Sequence, residues 1–270
     1  MKSKGRIFDL DELNAYKVAY GKEEVNRQDI YKQVVLPAAV VFLYVFVLYY
    51  YWWLAAIASI AGVIYGFRIA MPQNIKREYE KKALLERNRF VNNMTQILTN
   101  PDQTVLEALR LVTERANGEF KKDLLNLLAD LIDASDDKKI AAFSQMREKY
   151  KKDVIFDLYL EQLTTAALEG RTSIESMKDI KTWHNKAMKK QKDFLKKKER
   201  HAYEFRQTAI YGLGIIAALS YALGWQKFID VYAHSPIGWV FSAVYLIVIG
   251  LFFLSFKKRM ADDEIMEVKI

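Results

Sequence analysis

The side chains best suited to acid–base or metal chemistry near neutral pH are three histidines, His184, His201 and His234. His184 and His201 fall on one predicted helix, 17 positions apart, which is too far for both to reach one metal ion. His234 lies beyond the next apolar run, so solvated or packing histidines are expected at all three positions. The chain has no cysteine, which excludes thiolate nucleophiles, thiolate metal sites and disulfides. Neither GxxxxGK[ST] nor GxGxxG occurs, so any ATP hydrolysis must come from a partner. Glu169 is the acidic residue that stands out, because it closes a predicted helix, where the macrodipole disfavours negative charge. A bound cation, an arginine or a helix N-terminus would offset it; the alternative is that Glu169 is solvated or pairs locally with Arg171. Asp136 and Asp137 read as ordinary helix-start residues. No catalytic constellation emerges; the expectation is a non-enzymatic protein without metal or cofactor.

Apolar runs dominate the organisation around these residues. No residue from Val34 to Phe67 is charged, and the centre of that run reads VLYYYWWL from Val47 to Leu54. A single helix of that length would reach about 51 Å against a hydrocarbon core of about 30 Å. Two spans of about 16 residues joined by a tight turn fit better, although short for a full bilayer. Tyr49 to Trp53 then sit where the chain emerges, a depth that suits rings with one polar atom. Uncharged runs recur at Gln207–Gln226 and Ser235–Phe256, separated by KFIDVYAH, Lys227–His234. Arg68, Lys76 and Arg77 follow the first pair, Lys196 to Arg206 precede the third run, and Lys257 to Arg259 follow the fourth. The positive-inside rule therefore puts both termini and the middle segment in the cytoplasm, and both hairpin tips outside. The first span is expected to act as an uncleaved insertion signal.

A mean hydropathy of −0.10 hides this segregation. Residues 72–206 hold 28 Lys+Arg and 22 Asp+Glu, enough chain for a core of its own. The expected organisation is a cytoplasmic N-terminal segment (1–33), a transmembrane hairpin (34–70), a cytoplasmic bundle (72–206), a second hairpin (207–256) and a cytoplasmic tail (257–270). The fold class is an all-α membrane protein: two N-terminal transmembrane helices, a cytoplasmic six-helix bundle and two C-terminal transmembrane helices. Within the bundle, apolar residues recur at three and four. A first helix over Glu78–Leu98 buries Leu84, Leu85, Phe90 and Met94. A second over Pro101–Ala116 is capped by Asn100 and buries Leu109. A third carries Phe120 to Leu131, a short fourth holds Ile140, Phe143 and Met146, and a fifth runs from Asp153 to Glu169. Thr172–Glu175 forms a capping box for the sixth, and no Gly or Pro occurs from Ser173 to Tyr211, so this helix is expected to continue into the third span as a rigid lever.

The net charge of +8 concentrates in Lys181–Arg206, where Lys189, Lys190, Lys196, Lys197, Lys198 and Arg200 suit an anionic leaflet. No base-reading motif accompanies them, which argues against nucleic acid. The spans hold no ionisable interior residue, unlike those of a transporter or proton channel. Ala55, Ala56, Ala58, Ala61 and Gly62, with Gly212, Gly214, Ala217 and Ala218, would permit close helix packing within one chain or between copies.

FVNNMTQILTNPDQTVLEALRLV, Phe90–Val112, with its Ala108-Leu109 pair, and LYLEQLTTAALEGRTSIESMKDI, Leu158–Ile180, with Glu169-Gly170, resemble the two motifs of the type II secretion system F family. The order of spans and bundle over residues 34–259 resembles the family's single-domain platform proteins, particularly the tight-adherence (Tad) pilus type. Asn100-Pro101 stands where the family usually has glycine, and Gly170 is followed by Arg171. The resemblance implies an inner-membrane platform that couples a hexameric secretion ATPase to assembly or extraction of pilin-like subunits, acting with a second platform protein or another copy of itself. It gives Phe90, Ala108, Leu109, Glu169 and Gly170 as family-motif and partner-facing positions. A multi-pass membrane adaptor or regulator unrelated to secretion shares the same topology.

The orientation is directly testable, since the chain has no native cysteine. A cysteine replacing Asp230 should react with an impermeant maleimide added to intact cells, whereas one replacing Asn117 should react only after lysis. External labelling at Asn117 would overturn the topology.

Overall fold

The computed structural model describes residues 10–21, 23–170 and 174–261, with side chains as far as Phe256. Among the described residues there is no strand. The helices are α1 (Leu10–Val18), α2 (Arg27–Tyr49), α3 (Trp52–Ile97), α4 (Val105–Arg115), α5 (Gly118–Leu131), α6 (Asp136–Tyr150), α7 (Val154–Glu169), α8 (Ile174–Ala222), α9 (Trp225–Ala233) and α10 (Pro236–Ala261). The chain divides into two compact units. One, the apolar unit, takes the described residues of Met1–Leu13, Val25–Ile75 and Leu195–Asp263; the other takes those of Asn14–Glu24, Lys76–Phe194 and Glu264–Ile270.

In the apolar unit, α2, α3 and α10 are each long and apolar enough to cross a membrane. A fourth crossing exists if α8 and α9, bent by 113° at the intervening break, count as one. Among the described residues the chain is thus helical apart from its turns, with several helices that could span a membrane, consistent with a membrane protein. The aromatic run forms the turn between α2 and α3. Tyr50 is left-handed at φ 55°, its N–H reaches Phe46 C=O at 2.8 Å, and Tyr51 is the extended residue that opens α3. The rings do not simply face outward. Tyr51 stacks on His234 at 4.4 Å, Tyr50 meets Trp225 edge-on at 5.2 Å, and the Tyr49 hydroxyl reaches the Trp239 carbonyl at 3.4 Å. Tyrosine and tryptophan therefore serve as packing surface and hydrogen-bond donor at once, which Phe or Leu could not do.

Three π-helical turns, Tyr31–Val35, Gly66–Ala70 and Ile229–Ala233, precede Pro37, Pro72 and Pro236. Inside a helix, proline lacks the N–H for the carbonyl four residues back and its ring collides with that carbonyl. For Pro37 and Pro72 those carbonyls belong to Gln33 and Arg68, both within π turns, whose wider loop relieves the clash and keeps the helix running. For this reason α3 continues without a break from the apolar run into the charged segment, where two separate helices were expected. The linker is likewise helical from Lys227 to Ala233, within α9. Gly62 and Gly66 let α2 and α3 touch backbone to backbone: a Cβ at Gly62 would lie 2.8 Å from Ala38 Cα, and one at Gly66 2.6 Å from the Gln33 carbonyl oxygen. These small residues are used within the chain.

In the other unit, α3 to α8 share one core that includes Phe90, Leu109, Leu124, Phe143, Phe156 and Met177. Its boundaries differ from expectation at three places. Thr104 caps α4 in place of Asn100: its hydroxyl accepts the Glu107 N–H at 3.2 Å while the Glu107 carboxylate accepts the Thr104 N–H at 3.1 Å. Two reciprocal bonds outcompete the single Asn100 cap, and Asn100 accepts the Asp102 N–H at 3.2 Å in a preceding turn. Leu85 and Ile140, expected in the core, are exposed, and α6 is a full 15-residue helix. The described residues of 14–24, expected within the polar N-terminal segment 1–33, belong to this unit. The Ala19 carbonyl accepts the Glu119 N–H at 2.7 Å in the first turn of α5, and Tyr16 and Tyr20 pack on Tyr79 at 4.8 and 5.5 Å. Thr172 and Ser173, expected to cap α8, lie outside the described residues. From Ile174, α8 runs unbroken to Ala222.

Gly66→Ala should force the α2 and α3 backbones apart, because the added methyl meets main chain and not a movable side chain. We expect a loss of about 1–3 kcal/mol, read as a lower unfolding midpoint in detergent. An unchanged midpoint would contradict the close approach.

Candidate functional site

The charged and polar side chains that the structure brings together lie inside the second unit. Asp153 opens α7, its carboxylate accepting the Phe156 N–H at 3.2 Å, and it is buried. Arg87 on α3 donates to the same carboxylate at 2.8 Å, with side-chain exposures of 14% and 3%. The Arg87 guanidinium also lies over the rings of Tyr150 and Phe156, at 5.4 and 6.0 Å, so its non-bonding face is covered by aromatic carbon. His184 on α8 is wholly buried. Its Nε2 is 3.6 Å from Asp153 Oδ2 and its Nδ1 is 2.9 Å from the Asn88 amide nitrogen. An amide N–H donates, so Nδ1 accepts and the imidazole proton sits on Nε2, toward Asp153. Asn88 and Asn92, one turn apart on α3, each donate to Asn185 Oδ1, at 2.8 and 2.9 Å, and Asn185 donates back to Asn92 at 2.9 Å.

Burial pushes the Asp153 carboxyl up, but the His184 imidazole 3.6 Å away and the Arg87 charge outweigh burial and hold it below the usual carboxylate range. The cluster therefore carries one buried, compensated anion at the start of α7, tied to α3 on one side and α8 on the other. It can hold α8 in a fixed rotation about its axis. A second group lies beside the docked residues 14–24. Tyr79 donates to Glu119 at 2.7 Å, Lys149 bridges Glu119 and Asp123, each at 2.7 Å, and the Tyr150 hydroxyl donates to Asp123 at 2.5 Å. Burial raises the Tyr150 hydroxyl far above its ordinary value and the Asp123 bond adds to the effect. Burial also raises the Glu119 carboxyl, but the bonds from Lys149 and Tyr79 bring it below the ordinary range.

The residues singled out in the sequence are placed differently from one another. Phe90, Ala108 and Leu109 are buried, and the Phe90 ring makes edge-on contacts with Phe120, Phe156 and Tyr159; all three are packing positions with no surface for a partner. Glu169 and Gly170 are exposed at the end of α7, where Gly170 is left-handed at φ 65° and its N–H reaches Ala166 C=O at 3.1 Å. Lys189, Lys190, Lys196, Lys197 and Arg200 are exposed, but Lys198 is buried on the opposite side of α8. Arg200 and His201 both bond Glu204. Sequence reasoning passed over Arg87, Asn88, Asn92, Asp153 and Asn185 and set His184 aside. Asn88 and Asn92 flank the apolar stripe of Phe90 and Met94 at i,i+4 spacing, which is the signal that would have found them.

Asp153→Ala should destabilise this unit by about 3–5 kcal/mol, since it leaves Arg87 buried without its anion and α7 without its cap. Asp153→Asn keeps a cap oxygen and should cost less. Because the folded carboxyl is depressed, its contribution is complete above the unfolded value near about 3.9 and is lost as pH falls through the folded one. Urea unfolding of the wild type across that acid range should lose stability that Asp153→Asn does not lose; parallel pH profiles would refute this assignment.

No protein-family model matches the chain, and no solved structure matches it. The chain is similar to the uncharacterized protein pXO2-23 of Bacillus anthracis, with 42% identity over 266 residues, 98% of this chain and 96% of that one. At that identity over nearly the whole of both sequences, this chain belongs to the same family as the Bacillus anthracis protein.

Proposed function

We propose that the chain is a non-enzymatic platform protein of the cytoplasmic membrane, in a machine of the type II secretion or Tad-like pilus kind. In this reading α2 with the first part of α3, and the end of α8 with α10, form two membrane hairpins with their tips outside. The termini and the six-helix bundle around Phe90 and Leu109 are cytoplasmic. A hexameric ATPase acts on the bundle, pilin-like subunits are handled at the membrane, and a second platform protein or another copy completes the assembly.

The observation that carries the reading is α8. Its first turns are held by the buried His184–Asn185 cluster, and its last part, from Gln207 to Ala222, is uncharged. A helix without interruption transmits rotation or thrust that a flexible linker would absorb. The exposed lysines at 189, 190, 196 and 197 suit the anionic inner leaflet where such a helix would enter it. Glu169 and Gly170, exposed at the end of α7, are the motif residues free to meet a partner.

A flexible Gly-Ser segment inserted after Phe194, the last α8 residue of the helical unit, tests this directly. The variant should accumulate in the membrane at near-normal level while pilus or secretion output is lost. Under an adaptor reading, which needs reach and not stiffness, the insertion should be harmless. Normal output from a normally expressed variant would overturn the coupling role, and failure to co-purify any hexameric ATPase from membranes would overturn the platform itself.

A further inference from the structure

We infer that the apolar unit is built for a hydrocarbon layer thinner than an ordinary bilayer, and that it thins the membrane around itself. The partner is the lipid, and the inference rests on membrane spanning alone, not on the platform role.

Ring contacts mark two levels in this unit. At one, Phe205 stacks on Phe256 at 5.3 Å and Tyr65 meets Phe253 at 5.3 Å. At the other, Tyr51 stacks on His234 at 4.4 Å and Tyr50 meets Trp225 at 5.2 Å. Trp52, next to Tyr51, to Tyr65 is 13 steps of helix, about 20 Å at the rise of an α-helix. Phe205 to Ala222 is 17 steps, about 26 Å.

The uncharged lengths agree. Val34–Tyr49, Trp52–Phe67 and Gln207–Ala222 are 16 residues each, about 24 Å against a usual core of about 30 Å. Only α10, with 21 uncharged residues from Pro236 to Phe256, reaches about 32 Å. Because α10 is tied to the same two levels, tilt takes up its extra length. The ends are anchored. Arg68 and Arg206 bound the inner side, and on the outer side Trp52 and Trp225 are 71% and 55% exposed, with rings that favour the headgroup level. The three short helices cannot gain length by tilting, and thinning of the bilayer is the response that brings the hydrocarbon to all three at once.

The test uses the full-length protein in vesicles of single phosphatidylcholines whose monounsaturated chains run from fourteen to twenty-two carbons. The denaturant midpoint for loss of helix should be highest at fourteen or sixteen carbons and fall with each lengthening. In mixed vesicles, a dibrominated short-chain lipid should quench the tryptophans several-fold more effectively than a long-chain one at equal fraction. A midpoint that peaks at eighteen carbons or more, a flat profile, or equal or reversed quenching would overturn the inference.

Discussion

The rest of the structure depends on one backbone hydrogen-bond ladder, that of the 49-residue α8. Along it the side chains change from Met177 and Ile180, buried in a helical core, through a lysine-rich stretch, to a run with no charge at all. The backbone does not register these changes, because every interior N–H and C=O is paired within the helix whether the surroundings are protein, water or hydrocarbon. Gly212 and Gly214 would weaken such a helix in water. In the apolar unit Gly212 instead gives room to Tyr245, whose hydroxyl would lie 2.8 Å from a Cβ there, while Tyr44 donates to the Ala209 carbonyl.

Buried polarity is distributed with the same economy. In the helical unit it is concentrated where three helices meet: Arg87 donates to Asp153 and the asparagine amides close on one another, while His184 Nε2 faces Asp153 from 3.6 Å without a hydrogen bond. Burying such a set costs desolvation that only good geometry offsets, so it specifies one arrangement more than it adds stability. Within the uncharged runs of the apolar unit, tryptophan and serine donors return to nearby carbonyls, as Trp239 does to Ala233 at 2.9 Å and Ser220 to Ile216 at 2.8 Å.

Long-period features were legible in the sequence. The apolar runs, the division of the first run at its aromatics, the three-and-four spacing of Phe90, Met94, Leu109 and Leu124, and the unbroken α8 follow from local chemistry that no distant contact overrides. What was not legible depended on competition between neighbours or on contacts far apart in the chain. Thr104 displaced Asn100 as a cap because Glu107 answers it. Pro72 did not end a helix because a π turn absorbed its ring. Arg87, Asp153 and His184 look like ordinary solvated residues until folding brings positions 31 to 96 apart in sequence together, and Leu85 lies outside the core although it borders an apolar stripe.

The π turns have a further consequence for descent. Adding one residue to an α-helix rotates everything beyond it by about 100°, which would turn an apolar face toward the wrong neighbour. A π turn takes in the extra residue locally and leaves both flanking segments in phase. The turns at Tyr31–Val35 and Gly66–Ala70 lie against each other, with Gly66 beside Gln33 and Val34. One place where α2 and α3 meet backbone to backbone is thus also where each helix is already dislocated by one residue. Relatives that gain or lose a residue in either helix can do so there without rotating the faces on either side, so length differences in this hairpin should cluster at these two turns.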